Sequence, residues 1–338
     1  MTQIKVDDIS DAAGTGAPDF ADGLTVAGSA ISTLNTAEYY SSATEPSSPK
    51  NGAIWWDSAN DKVMVYVAGE WKEVELGASA GLPSWTVDIS QLSYDSVSFS
   101  VAGQEATARQ IRFNTDGTKM YLGGSNDNIY QYSLSTAFDI STLSYDSVSW
   151  NPDSVTDIQA FFFNNDGTKI YIGKSILYEY SLSTAFDMSS TLTLVSSSLD
   201  LGEDSFCWNI SRDGQKVFAC PYSDQDVHSW TLSTPYDTSS ASKDTYVLAD
   251  TNSQRSFPTD INFDSSGEKL YILDDNSNVY QYSMTTAYDL STATYDNKSF
   301  NFSGTDTSTQ SLVFNADGTK AFMSAKINDA VYQYSTGL

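Results

Sequence analysis

The single histidine and the two cysteines are the residues best suited to bind a metal ion or act as a nucleophile. His228 has no second histidine with which to form a metal cluster, and two cysteines are too few for a disulfide framework or a four-ligand zinc site. Cys207 and Cys220 flank one predicted hairpin turn nearly symmetrically, so a cross-strand disulfide is an alternative to two thiols. We predict thiols and no metal site.

A D-G-x-K motif is the second candidate, because it places an acid and a base at a fixed spacing. It recurs through the chain, with acids at Asp116, Asp166, Asp213 and Asp317 and lysines at Lys119, Lys169, Lys216, Lys269 and Lys320. A pair that returns in every copy is what a turn requires, since Asp caps a turn through its backbone. The lysine then lies near enough to pair with the same acid. We therefore predict a structural role.

The elements that position these motifs are short strands in a repeat of about 50 residues. The copies are IRFNTDGTKMYL (111–122), FFFNNDGTKIYI (161–172), WNISRDGQKVFA (208–219), INFDSSGEKLYI (261–272) and LVFNADGTKAFM (312–323). Each predicts a hairpin with Gly at the turn. A third strand with alternating tyrosines follows, as in NIYQYSL, and a segment of the type STAFDISTLSYDSVSF supplies a fourth. His228 falls in the slot of a tyrosine in that third strand.

Four antiparallel strands per repeat predict an all-β fold, a five-bladed β-propeller of about 51-residue blades spanning residues 84–338. The fifth copy ends after its third strand, whereas residues 84–101 hold a fourth strand without the other three. Joined, the two pieces complete one blade and close the ring, which removes its open edges. The residues predicted to make this closure are Leu92, Tyr94, Val97, Phe99, Val331, Tyr332 and Tyr334.

The repeat FNTDGTKMY at 113–121 resembles the repeats of bacterial surface-layer and lactonase-type propellers. This resemblance implies a fold and leaves activity open.

The arginines and acids decide between an enzyme and a binding protein. Sialidase-like propellers cluster three arginines. The four arginines of this chain are Arg109, Arg112, Arg212 and Arg255. The first two lie three apart on one strand and so face opposite ways, and no pair of acids stands out. We predict that the protein is not an enzyme.

Binding residues are expected in the loops between second and third strands and in the connectors between blades, because these differ from blade to blade. The candidates are Asn126, Asp127, Tyr222, Asp224, Arg255, Asp274, Asp275 and Asp329. Such side chains suit sugar hydroxyls or a structural Ca²⁺, although no loop has calcium-binding spacing. Plain solvated loops are the alternative. We predict no other cofactor.

Composition excludes two classes of partner. The chain of 338 residues has 43 acidic and 17 basic residues, a net charge of −26. Such a surface repels phosphate and anionic lipid, so we expect no nucleic-acid and no membrane partner. Residues 1–14 hold no signal-peptide run, and nowhere do about 18 apolar residues run together. We expect synthesis in the cytoplasm without a signal peptide.

Two segments precede the ring. Residues 1–45 predict an extended arm that needs a partner surface. Residues 46–80 predict a small module of three strands at about 53–57, 62–68 and 70–75 that exposes its tryptophans. The stretches VDDISDAAGTGAPDF (6–20) and PSSPKNGAIWWDSANDKVMVYVAGEW (46–71) resemble the front ends of tail-fibre and virion proteins of marine tailed bacteriophages, notably cyanophage-type podoviruses.

The resemblance implies a particle-bound protein, anchored to other virion proteins by residues 1–45 and presenting its propeller to a host-surface glycan or protein. By analogy with fibres, and from the tryptophans, we expect a homotrimer. Two alternatives stay open at this point. One is a purely structural head or tail component without a receptor, and the other is a glycan-active or lactone-active enzyme on the same scaffold.

Overall fold

The computed structural model divides the chain into two compact units, Met1–Leu82 and Pro83–Leu338. It describes residues 4–6, 24–26, 29–30, 39–42, 44, 46–47, 49, 53–57, 62–67, 70–74, 85–152, 155–202, 205–221, 226–248 and 257–338. No helix among these residues is long and apolar enough to cross a membrane.

Unit Met1–Leu82 contains two small sheets. The first pairs β1 (Ile4–Val6), β2 (Leu24–Val26) and β3 (Ser29–Ala30) in antiparallel order, within the segment that we expected to be an extended arm. The second contains β4 (Tyr39–Ser42), β5 (Ile54–Asp57), β6 (Lys62–Val67) and β7 (Glu70–Val74).

The second sheet has four strands where the sequence predicted three. The added strand, β4, pairs in parallel with β5, and its polar flanks hide it from a search for alternation. Trp55 was expected to be exposed but is only 6% accessible, with its ring 5.5 Å from that of Trp71. The module therefore covers part of its own aromatic surface.

Unit Pro83–Leu338 is a five-bladed β-propeller, as predicted. Blade 1 contains β9 (Ala108–Phe113), β10 (Lys119–Gly124), β11 (Ile129–Leu134) and β12 (Leu143–Trp150). Blade 2 contains β13 (Ala160–Phe163), β14 (Lys169–Gly173), β15 (Ile176–Leu182) and β16 (Leu192–Asp200). Blade 3 contains β17 (Ser205–Ile210), β18 (Lys216–Pro221), β19 (Val227–Leu232) and β20 (Ala241–Leu248). Blade 4 contains β21 (Pro258–Phe263), β22 (Lys269–Asp274), β23 (Asn278–Ser283) and β24 (Thr294–Asn301).

Blade 5 joins the two ends of the propeller. It contains β25 (Thr309–Phe314), β26 (Lys320–Ala325), β27 (Ala330–Ser335) and, as outer strand, β8 (Ser93–Ser100). In the β8–β27 register, Phe99 lies opposite Val331 and Tyr94 opposite Tyr334. Tyr94 also contacts the ring of Tyr332, and Leu92 is buried in the same blade. The predicted closure by an N-terminal outer strand is confirmed.

The core lies between blades. Five buried apolar clusters each combine side chains of two neighbouring blades, so that every blade face is covered. The first strands of adjacent blades pack against one another around the axis, from β9 through β13, β17, β21 and β25 back to β9. The first strands therefore surround the central channel, and the fourth strands form the rim.

Each hairpin turn is built as the motif predicts. Gly117 has φ +71°, and the ring of Phe138, from the segment before the fourth strand, lies directly over it. The same aromatic cover recurs over the other turn glycines, from Phe186, Tyr236 and Tyr288. In blade 5 the cover is Trp85, whose Nε1 also donates to the Ala316 carbonyl at 3.0 Å. Trp85 thus belongs to the closure, a role that the sequence analysis missed.

Candidate functional site

The propeller has two ends with different chemistry. We call the end that carries the D-G turns and the short segments before the fourth strands the turn end. The opposite end, which carries the loops between second and third strands and the connectors between blades, is the loop end. The predicted binding residues that the structure describes, which all lie at this end, are Asn126, Asp127, Asp274, Asp275 and Asp329.

At the turn end, the motif acids act as turn caps. Asp116 Oδ1 accepts hydrogen bonds from the backbone N–H of Thr118 at 2.9 Å and from its hydroxyl at 2.6 Å. The equivalent acids of blades 2 and 5 do the same. These carboxylates are therefore used within their own turns.

The motif lysines do not pair with these acids, and this part of the prediction was wrong. Lys119 instead pairs with Asp146 on the fourth strand at 3.3 Å. Equivalent pairs join Lys216 to Asp244, Lys269 to Asp296 and Lys320 to Asp95. The reason is that the lysine starts the second strand, and its side chain extends across the sheet toward the rim.

A bulge in the fourth strand aims the acid at the lysine. Tyr145 lies opposite Tyr132 and Val148 opposite Gln131, so Asp146 and the following serine have no partner residue. That serine, Ser147, has φ +60°. A bulge of this kind redirects a side chain, which explains why the YDS sequence recurs.

Each acid of this network accepts several hydrogen bonds. In blade 5, Asp95 accepts from Lys320 Nζ at 2.6 Å, from the Ser335 hydroxyl at 2.7 Å and from Gln333 Nε2 at 3.0 Å. Burial acts to raise the pKa of Asp95, but these hydrogen bonds outweigh it and leave the pKa below its usual value. The acid is therefore charged at neutral pH and has no proton to give as a general acid.

The glutamine of the network links neighbouring blades. Gln131 Nε2 donates to Asp146 within blade 1, and its Oε1 accepts from the Met188 N–H of blade 2 at 2.9 Å. In blade 2, Glu179 takes the glutamine position, pairs with Lys169 at 2.7 Å and accepts from the Thr238 hydroxyl of blade 3 at 2.9 Å. The turn-end charges thus hold the ring together.

The channel contains a buried polar network centred on Asp260, which is 1% exposed. Its Oδ2 accepts from the Ser311 hydroxyl at 2.9 Å and the Leu312 N–H at 3.0 Å in blade 5. Its Oδ1 accepts from Gln110 Nε2 at 3.3 Å and lies 3.5 Å from Arg112 Nη2, both in blade 1. Blades 1 and 4 are not neighbours, so this carboxylate joins them across the axis.

A second cluster lies at the loop end, where β9 begins. The Arg109 guanidinium donates to Gln159 Oε1 at 2.8 Å and lies 2.9 Å from Asp157 Oδ1. Asp127 and Asp157 both have positive φ, 59° and 56°, and Asp127 Oδ1 accepts the Asp157 N–H. This arrangement connects the loop of blade 1 to the connector that follows it.

The predicted binding residues differ in their exposure and in whether they already bond within the protein. Asn126 is exposed, whereas Asp274 is 1% exposed and accepts from the backbone of Asn276 and Asn278. Asp127 belongs to the Arg109 cluster. Asp275 and Asp329 are half-buried. Tyr222, Asp224 and Arg255 lie outside the described residues.

Several buried polar atoms at the loop end have no hydrogen-bond partner. They are Arg109 Nε, Asp275 Oδ1, Thr309 Oγ1 and Asp329 Oδ1. A buried polar atom without a partner costs free energy and needs an explanation, such as a bound molecule or water. At the same end of the propeller, Ile327 at the tip of the blade 5 loop is 62% exposed. The loop end therefore combines unsatisfied polar atoms with exposed apolar surface.

His228 and the cysteines are strand residues. His228 lies in β19 between Ala219 and Val247 and is 9% exposed, in the slot that other blades give to tyrosine. Cys207 and Cys220 are directly opposite each other in β17 and β18, both buried and not joined by a disulfide. Among the described residues, no group of three or more acids, histidines or cysteines is placed to hold a metal ion.

Sequence reasoning missed the channel network. The signal was present in the repeat, because Gln110, Asp260 and Ser311 share one position on the first strand with Ala160 and Cys207. A polar residue at an otherwise small or apolar position marked where the strands approach the axis. Its partner across the ring could not be identified without the closed geometry.

Neither a protein-family model nor a curated protein matches this chain.

Proposed function

We propose that this protein is a bacteriophage virion component, a fibre-like appendage anchored by its N-terminal unit, whose propeller binds a host-surface glycan or protein through its loop end. The observation that carries the binding role is the difference between the two ends. Turn-end acids accept hydrogen bonds from their own turns or pair with lysines, while the loop end has both unpartnered buried polar atoms and the exposed Ile327.

The chemistry of the loop end supports a neutral, hydroxyl-rich ligand. Asp275 Oδ1 and Asp329 Oδ1 are acceptors without donors, and the exposed Asn126 donates from its amide to the Gln104 carbonyl at 3.0 Å. Arg109 is already neutralised by Asp157. With a net charge of −26, the protein repels polyanions at long range. A sugar hydroxyl supplies the missing donors without adding negative charge.

The phage part of the proposal rests on the resemblance of residues 6–20 and 46–71 to the front ends of virion proteins. A location on the virion and a homotrimeric state follow from the same resemblance. The rival functions, a structural head or tail component and a propeller enzyme, differ in what they do at the host surface.

Binding of labelled full-length protein to whole cyanobacterial cells at marine ionic strength tests the proposal. We expect saturable binding that free cell-surface polysaccharide competes away, with no release of reducing sugar from that polysaccharide. Antibody labelling of intact phage particles is expected to mark the tail. Absence of saturable binding together with head labelling would favour the structural rival, and release of sugar would favour the enzyme.

A further inference from the structure

The first strands of four blades contain a bulge near the loop end of the channel. In β17 the register with β18 shifts at Phe206, which has no partner residue. Thr259 of β21 and Gln310 of β25 are left unpaired in the same way, and in β9 the shift falls at Arg109 and Gln110. A bulge redirects a side chain and is common beside active sites. The repeated bulge therefore marks this level of the channel.

We call the residues at this aligned position the mouth ring: Arg109, Gln159, Phe206, Thr259 and Gln310. Each precedes, on the loop-end side, the position that Asp260 occupies in blade 4. Arg109 donates to Gln159 Oε1 at 2.8 Å. Thr259 and Gln310 both donate to the Thr309 carbonyl, at 3.4 and 2.9 Å. Side chains of neighbouring blades thus meet around the mouth of the channel.

The channel is closed directly beneath the mouth ring. Asp260 bridges blades 4 and 1 through Gln110 and Arg112, and it also binds Ser311 of blade 5. All four of these residues are buried. A molecule that enters between the mouth-ring side chains from the loop end therefore stops at this bridge.

The mouth ring combines hydrogen-bonding groups with one aromatic side chain. Arg109 Nε is buried without an acceptor, and no described residue donates to Gln310 Oε1. Phe206 is half-buried, and Lys174 Nζ lies 5.3 Å from the centroid of its ring. A sugar ring suits this set, because its hydroxyls both donate and accept hydrogen bonds and its C–H face can pack on an aromatic ring.

We propose that the mouth ring binds the terminal sugar of a host-surface glycan. The inference rests on the proposed function, because it names the part of the loop end that recognises the glycan. The closed channel selects a chain end. Gln159 and Gln310 are buried, so a ligand must enter the ring to reach them, and a sugar linked on both sides cannot enter a channel that is closed below. Because the ring surrounds the axis, each propeller has one such site.

Two variants of the full-length protein test the site. Phe206→Ala removes the aromatic side chain of the mouth ring. Phe162→Ala removes another half-buried phenylalanine, on the first strand of blade 2 but nearer the turn end than the Asp260 bridge. We expect Phe206→Ala to weaken binding to cyanobacterial cell-surface polysaccharide at least about tenfold, as truncation of an aromatic anchor does, and Phe162→Ala to bind as wild type does. Circular dichroism checks that both variants fold.

The outcomes separate the site from the proposed function. Wild-type affinity of Phe206→Ala, or an equal loss in both variants, would overturn the mouth-ring site while leaving host binding by the loop end in place. Failure of the wild-type protein to bind either cells or polysaccharide would overturn both.

Competition by single sugars tests recognition of a chain end with the wild-type protein. The probes are the methyl pyranosides of glucose, galactose, mannose, fucose, rhamnose and N-acetylglucosamine, each of which is one sugar ring without a further chain. In isothermal titration calorimetry we expect at least one of them to displace the polysaccharide and to bind at one site per chain. Failure of all of them to compete with a polysaccharide that does bind would overturn the proposal.

Discussion

Asp260 shows how one side chain can join three blades. Its carboxylate is 1% exposed and accepts hydrogen bonds from blades 1 and 5 as well as from its own strand. Arg112, 7% exposed, lies within 3.5 Å and has no other acid beside it among the described residues. Removing one partner of a buried charge pair leaves the other uncompensated, which is more damaging than losing a surface pair.

We predict that Asp260→Ala lowers the free energy of unfolding by about 3–5 kcal/mol. Asp260→Asn is expected to cost less, because it keeps an acceptor for Ser311. Asp275→Ala, at a loop with an unpartnered oxygen, is the matched control and should change stability by about 0.5 kcal/mol or less. Urea unfolding followed by tryptophan fluorescence measures all three. Equal stability of Asp260→Ala and Asp275→Ala would show that the channel network does not hold the ring.

The lowered pKa values of the rim acids predict that the propeller loses stability at acidic pH. Burial acts to raise the pKa of Asp95, Asp244 and Asp296, but hydrogen bonds from lysine, hydroxyl and amide groups outweigh it and lower each pKa below 3.8. A folded pKa below the unfolded one means that these groups add stability above about pH 4, and that the contribution is lost as pH falls through the folded pKa.

The expected result is a free energy of unfolding that, as far as these acids contribute, is constant from pH 7 to about pH 5 and falls below about pH 4. In Asp95→Asn the free energy of unfolding should depend less on pH. The difference in free energy of unfolding between wild type and Asp95→Asn therefore becomes smaller as pH falls. Urea midpoints measured between pH 7 and pH 3 test this. A stability difference between wild type and Asp95→Asn that grows toward low pH would contradict the stabilising role of the charged Asp95.

At the scale of the element, the repeat alignment predicted each hairpin, its turn glycine and the closing strand, because these depend on local patterns that recur. The acid–lysine pairing was not predicted correctly. It depends on a bulge at Asp146 and Ser147, and a bulge changes which residues face each other without changing the alternation that surrounds it. The parallel strand β4 was missed because it pairs with the outer edge of β5 and its two tyrosines are adjacent instead of alternating with polar residues.

The closing segment 85–100 gives a further prediction. Trp85→Ala removes the ring over Gly318 and the hydrogen bond to Ala316, and should cost about 3 kcal/mol. Phe138→Ala, which uncovers Gly117 in blade 1, is the matched control within a continuous blade. Limited proteolysis should cut Trp85→Ala between the N-terminal unit and β8 faster than it cuts Phe138→Ala at any site. Equal protection of residues 83–100 in the two variants would argue against a special role for Trp85.

At the scale of the whole molecule, the repeat length and the incomplete fifth copy were enough to predict five blades. The loop end could be predicted only as a set of segments. Asp274 is committed to its own turn while Asp275 keeps a free oxygen, and nothing in the sequence separates these adjacent acids. Likewise, only the closed ring places Arg109 beside Asp157.

The central claim is that the loop end binds the host surface while the turn end has a structural role. A matched pair of variants tests this claim most directly. Ile327→Arg adds a cation at the loop end, and Thr115→Arg adds the same cation at an exposed position of the turn end. Binding of each full-length variant to whole cyanobacterial cells is measured against wild type. We expect Ile327→Arg to reduce affinity at least about tenfold, equivalent to about 1.4 kcal/mol, and Thr115→Arg to match wild type. Wild-type affinity for Ile327→Arg, with a loss for Thr115→Arg, would contradict the claim.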